Sequence, residues 1–268
     1  MEEFAEYILN EEDLIAKEEI IYFLAPKLGI NFDKATIFKT EIARMFLKYT
    51  KIRLDNNLIL TACLLCNCKK VDDAQKLGKV QTYAIEGSQL LKKLGFNARF
   101  CKICEGVNRY GEQEKREPES DVLELVDQFG GMLLDRPERI GFKPDEALVL
   151  LEHRNLKDEY NRYLETFRDF VNFMETIEIN DMLSMTALRR LVKIYNETED
   201  LVQFIEKVMY EYEPKVDKLM EKKIDNIAKK IFEDVSDPNR PLFSKETAKK
   251  IMEHMGENET AELAKMKE

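Results

Sequence analysis

Tryptophan is absent from this sequence, and histidine occurs only twice, as His153 and His254. Two histidines leave the five cysteines without an obvious catalytic base, so cysteine–histidine nucleophilic chemistry is not expected. No GxSxG, Walker or dinucleotide fingerprint occurs either. Long apolar runs are missing: the longest are IIYFLA and the interrupted LILTACLL, far short of a bilayer span. A basic excess is missing as well. The formal net charge of −10 argues against a general phosphate-backbone binder, and no nucleic-acid partner is expected. The lysine-rich stretch KVDKLMEKKIDNIAKK alternates with acids and apolar residues and reads as one solvated helix face.

What remains is a helical composition. Apolar residues make up 44% and charged residues 35% of 268, while glycine and proline together number only 17. That is enough chain for one large domain or two modest ones with ample core, and the fold class expected is all-α. The opening MEEFAEYILNEEDL carries no basic segment followed by an apolar core, so no signal peptide is expected. An odd number of cysteines spread along the chain suggests reduced thiols and a cytoplasmic home.

Periodicity predicts a short helix over 11–25 after Asn10 as N-cap, helices over 35–49 and 57–65, and two more over 84–94 and 97–108 around Gly95. The polar stretch 110–120 reads as a surface loop. VLELVDQFGGMLL follows, then a turn at DRPERIGF and a helix opened by Pro144. Residues 156–212 read as long helices with an aromatic stripe, Tyr160, Tyr163, Phe167, Phe170 and Phe173, whose expected role is packing. Pro214 starts a helix to about Val235, DPNRP makes a loop, and Ser244 caps a last helix. No strand-like alternation stands out. A boundary near residue 155 separates the segments 1–155 and 156–268.

The stretch LLCNCKK is followed by TYAIEGSQLLKKLGF, GVNRYGEQ and LVDQFGGMLLDRPERIGFKPDEALVLL. This succession resembles the HD-GYP branch of the HD-domain metal phosphohydrolases, which carry LLHDIGK, a THPxxG helix start, a paired-histidine helix, a GYP loop and ADxFDALxxxRPYR. Asp127, Phe129, Asp135, Arg136, Pro137, Arg139, Pro144, Glu146 and Ala147 fall in the family register. The resemblance covers residues 35–152, about half the chain. It implies an HD-domain-like helical bundle with a C-terminal helical extension.

Carried across residue by residue, the family's metal ligands are almost all replaced. The early helix histidine falls at Phe38, the signature His-Asp pair on Cys66 and Asn67, and the next histidine on Tyr83. The paired histidines fall on Val107 and Asn108. Asp127 alone survives among the ligands, with Lys70 as the lysine after the signature pair, and the GYP loop has no counterpart. A binuclear centre needs several imidazoles converging on one pocket, and this set does not supply them. The resemblance therefore implies a pseudoenzyme without a metal or other cofactor, with Cys66, Asn67, Lys70, Tyr83, Asn108 and Asp127 lining a vestigial pocket. Such a chain would be a bacterial regulatory or scaffold protein working through a protein partner. A homodimer and a nucleotide ligand are further partner expectations. Arg136 and Arg139 brace the turn before the Pro144 helix or contact an anion. One alternative is a sensor that holds a cyclic dinucleotide or other nucleotide in the vacated pocket. Another is a cysteine-ligated metalloprotein, because Cys63, Cys66 and Cys68 with Cys101 and Cys104 make CxxCxC and CxxC spacings.

Overall fold

The computed structural model describes residues 2–70, 82–109, 115–136, 139–155, 161–180 and 184–236. The loop DPNRP from Asp237 onward, the helix expected after Ser244, and His254 lie outside these residues. Among the described residues the architecture is all-α, with one short hairpin, and no helix is long and apolar enough to cross a membrane.

The chain opens with α1 (Glu2–Asn10), which buries Ala5 and Ile8, and α2 (Leu14–Leu28). Asn10 is thus the end of one helix, not the cap of the next. The cap is Asp13, whose carboxylate accepts the backbone N–H of Ile15 at 2.9 Å. Gly29 ends α2 in the left-handed region, at φ 66°. The last carbonyls of α1 are satisfied from other helices. Lys17 donates to the Ile8 carbonyl at 2.9 Å and Asn57 to the Leu9 carbonyl at 2.9 Å.

Helix α3 (Lys34–Thr50) runs through the middle of the protein and is buried on nearly every side. Asp33 caps it by accepting the Thr36 N–H at 2.7 Å. Helix α4 (Asn56–Leu65), capped by Asp55, lies against α3. The pair α5 (Tyr83–Lys93) and α6 (Ala98–Glu105) is joined through Gly95, at φ 95°. The second of these stops before Gly106, so Val107 and Asn108, expected within it, follow its end.

Helix α7 (Pro118–Leu133) begins three residues inside the stretch expected to be a surface loop. Glu119, Asp121 and Glu124 in its first turns are buried because arginines reach them, one from just ahead of the helix and others from distant segments. Arg116 Nε lies 2.5 Å from Asp121 and Arg162 Nε 2.6 Å from the same carboxylate, while Arg109 Nε reaches Glu124 at 2.8 Å. Helix α8 (Pro144–Asn155) follows, with Asp145 and Glu146 in its first turn.

The segment read as long helices is more broken than its periodicity suggests. It holds α9 (Leu164–Met174) and an antiparallel hairpin of β1 (Glu178–Asn180) and β2 (Ser184–Thr186), with Ile179 opposite Met185. Then come α10 (Ala187–Glu197) and α11 (Leu201–Lys207), and a π-helical turn at Val208–Tyr212 leads into α12 (Glu213–Ser236). Three-residue strands are too short to register as alternation over a window. Tyr212 is buried, and its hydroxyl donates to the Ala187 carbonyl at 2.9 Å.

The aromatic stripe packs on the N-terminal helices. Phe167 meets Phe46 of α3 and Phe129 of α7 edge-on, at centroid separations of 5.1 and 5.3 Å, and Phe170 meets Phe46 at 5.4 Å. Tyr163 and Phe173 are half-buried beside them, and Tyr160 lies outside the described residues. Helix α12 is tied to α3 by Asp217, which receives Lys48 at 2.5 Å and Arg44 at 3.3 Å. Phe167→Ala should therefore lower stability by about 3–5 kcal/mol through lost burial and a residual cavity. Equilibrium denaturation in urea, followed by far-ultraviolet circular dichroism, measures this.

Candidate functional site

Three helices converge on Asp127. Lys39 comes from the middle of α3, and Asn67 and Lys70 come from the turns that end α4. Asp127 itself projects from the third turn of α7. Close approach of α3 and α7 depends on Gly130, because a Cβ there would fall 2.8 Å from Lys39 Cγ. The lysine stem lies across this notch and delivers its ammonium to the carboxylate. Lys39 Nζ stands 2.6 Å from Asp127 Oδ1, and Asn67 Nδ2 donates to the same oxygen at 2.8 Å. Lys70 Nζ straddles the two carboxylate oxygens at 3.4 and 3.3 Å. Burial alone would push the Asp127 carboxyl up. The charges of Lys39 and Lys70, with hydrogen bonds from Lys39 and Asn67, outweigh burial and hold it far below the usual carboxylate range.

The other expected pocket residues stand around this ion cluster. Lys70 Nζ lies 5.3 Å from the ring centre of Tyr83, the first residue of α5. Burial and then the nearby Asp127 charge push the Tyr83 phenol up, against a hydrogen bond with Asn108. Cys66 is buried at the end of α4, with its Sγ 3.7 Å from the Cys63 carbonyl. Phe38 and Val107 are wholly inside the core. Asn67 Oδ1 is buried and has no hydrogen-bond partner among the described residues.

All five cysteines are free and buried. Burial pushes every one of these thiols up, that of Cys68 to about 12, so they stand as neutral S–H groups near pH 7. Among the described residues, no group of three or more His, Cys, Asp or Glu side chains is placed to hold a metal ion. One carboxylate already neutralised by two ammonium groups, an amide and a phenol does not fit a binuclear metal centre.

The two arginines of the following turn serve different ends. Arg139 donates to the carbonyls of Gly131 at 2.8 Å and Met132 at 3.0 Å, closing the C-terminus of α7, and stacks on Phe142 at 4.9 Å. Asp135 accepts the Gly141 N–H at 2.7 Å across the same turn. Arg136 is exposed, and its Nη2 and Lys39 Cε both approach the point where a Gly131 Cβ would stand, at 3.3 and 4.0 Å. Two cations, Lys39 and Lys70, therefore face one carboxylate, with Arg136 beside the Lys39 stem.

Lys39 is the member of this cluster that residue-by-residue reading misses. Its signal is nonetheless visible: a lysine among Ile37, Phe38, Ile42 and Ala43, in a helix with apolar residues on most of its surface. Such a lysine needs an anion inside the protein. Comparison with protein-family models, curated proteins and solved structures finds no match for this chain.

Asp127→Asn should destabilise the protein by about 3–5 kcal/mol at pH 7, because it strands the Lys39 ammonium in the interior. Folding lowers the Asp127 pKa. Its contribution is thus present above the unfolded carboxylate value of about 3.9 and is lost as pH falls through the lower folded value. The gap between wild type and Asp127→Asn should shrink steadily below about pH 4 in denaturation experiments, and removing Lys39 as well should recover part of the loss.

Proposed function

We propose that this chain is a catalytically inactive member of the HD-GYP-like phosphohydrolases that works by binding, as a bacterial cytoplasmic regulatory or scaffold protein. The observation that carries the reading is the Lys39 ammonium 2.6 Å from Asp127. The one carboxylate that the family pattern retains as a ligand is already neutralised from within. A divalent ion beside it would also face Lys70. Each like-charge contact at ~4 Å costs about 4 kcal/mol per pair of unit charges at an effective dielectric of 20. The surrounding core and the turn braced by Arg139 are kept, which is the pattern of a fold retained for a surface.

The partner surface is not the aromatic stripe, whose central rings are core. A second copy of the chain or another protein has to use a different face, and Phe23, Ile140 and Tyr210 are large apolar side chains that stand exposed. A second reading, a nucleotide sensor, is favoured by Lys39 and Lys70 on one carboxylate, with exposed Arg136 beside the Lys39 stem. Phosphate oxygens, including those of a cyclic dinucleotide, would complement that excess of positive charge. The neutral, buried thiols weigh against a cysteine-ligated metal.

Metal analysis of anaerobically purified protein should give sub-stoichiometric iron, manganese and zinc, with no turnover of cyclic dinucleotides in a phosphodiesterase assay. Stoichiometric metal abolished by Cys66→Ser would replace this reading with the metalloprotein. Calorimetric titration with cyclic dinucleotides decides the second reading, since micromolar binding lost in Lys70→Ala would establish the sensor.

A further inference from the structure

A second charged cluster lies away from Asp127, where the start of α2 meets α3 and the π-helical turn. A cavity of about 120 Å³ opens there, with Ile15, Ile37 and Val208 among its apolar walls and Glu18, Glu41 and Glu213 in its lining. Arg44 serves most of the acids around it. It binds Glu41 through two nitrogens at 2.7 and 2.9 Å and reaches Glu213 at 3.1 Å and Asp217 at 3.3 Å. Lys48 adds a second cation on the Asp217 side. Glu18 is different. It is only 4% exposed, and no hydrogen bond or ion pair reaches its carboxylate among the described residues.

A buried carboxylate with no donor is costly unless it is neutralised by a proton or by a cation. The charges around Glu18 are Glu41 and Arg44 from α3, Glu213 and Asp217 from α12, and Asp13 at the head of its own helix. Acids outnumber the cations that face them. We propose that the Glu18 cavity is a binding site for a small aliphatic ammonium ion. The head would pair with Glu18 beside Glu213, and the alkyl tail would lie on the apolar walls. An apolar cavity of about 150 Å³ accepts benzene, so the volume here suits a chain of roughly four heavy atoms. A bare divalent ion is a poorer match, since Arg44 already occupies Glu41.

Ligand entry has a proton consequence. Burial, then repulsion from Glu41 and Glu213, pushes the Glu18 carboxyl well above the ordinary range, against the pull of Arg44. Below that raised value the unoccupied carboxyl holds a proton, and an arriving ammonium ion must displace it. Affinity should rise about tenfold per pH unit for as long as the empty site stays protonated.

Calorimetric titration of the full chain with n-propylammonium chloride, in two buffers of different ionisation enthalpy, tests this. Sodium chloride of equal ionic strength and 1-propanol serve as controls. The expected result is saturable binding with a proton release that approaches one per ligand as the pH is lowered below the raised Glu18 value. Glu18→Gln should weaken binding at least tenfold and abolish the proton release. Heats no larger than those of the two controls would overturn the proposal, as would unchanged binding in Glu18→Gln. If that variant does not fold, wild-type titrations at a series of pH values decide alone, and an affinity that does not rise with pH through the acidic range overturns it.

Discussion

A helix buried on nearly every side can carry a charge only where a neighbouring element brings the opposite charge to it. Helix α3 is such a helix, and it carries Lys39, Glu41 and Arg44 in its interior turns. Lys39 is answered by Asp127 of α7. Glu41 and Arg44 are answered within α3 and by Glu213 and Asp217 of α12. Sliding α7 or α12 by one turn, about 5.4 Å, would strand buried charges on both partners. The apolar contacts of Phe46 with Phe167 and Phe170 supply adhesion without fixing such a register, because greasy surfaces tolerate displacement better than ion pairs do.

The same constraint separates two ways of neutralising a carboxylate. A metal ion can be exchanged with solvent and can polarise water. An ammonium group on a stem wedged over Gly130 can do neither, and it holds α3 and α7 in one relation. The Asp127 cluster thereby reads as a fixed joint. Relative to an apolar core of the same shape such a joint adds little net stability, yet it specifies one arrangement and penalises its loss.

Helices whose apolar positions recur over several turns were legible in the sequence: α3, α4, α7 and α8 lie close to where periodicity puts them, with Pro144 at the start of the last. Elements that rest on long-range partners were not. REPES looks like solvent-exposed chain, because nothing local announces that Arg109 and Arg162 will surround Asp121 and Glu124. The hairpin is too short for its alternation to register, and Asn10 looks like a cap only until the helix before it is recognised. In the candidate site, Asp127 and Lys70 were legible through a family pattern. Lys39 was not, since the pattern directs attention to Phe38, one residue away.

The π-helical turn at Val208–Tyr212 bears on the phase of the last helix. Beside buried Leu201 and Ile205, one stripe of buried residues runs through Phe204, Val208, Tyr212, Val216 and Met220, every four positions. In an unbroken α-helix each such step advances the stripe by about 40° around the axis, so four steps would carry it most of the way to the opposite side. A single wide turn winds more slowly and takes back part of that drift. It acts as a vernier between two helical stretches, and it lets one continuous rod keep a straight seam against a straight neighbour. Removing one residue from α12 between that turn and Asp217 would rotate everything beyond the deletion by about 100°, turning Asp217 away from Arg44 without altering a single side chain at the contact.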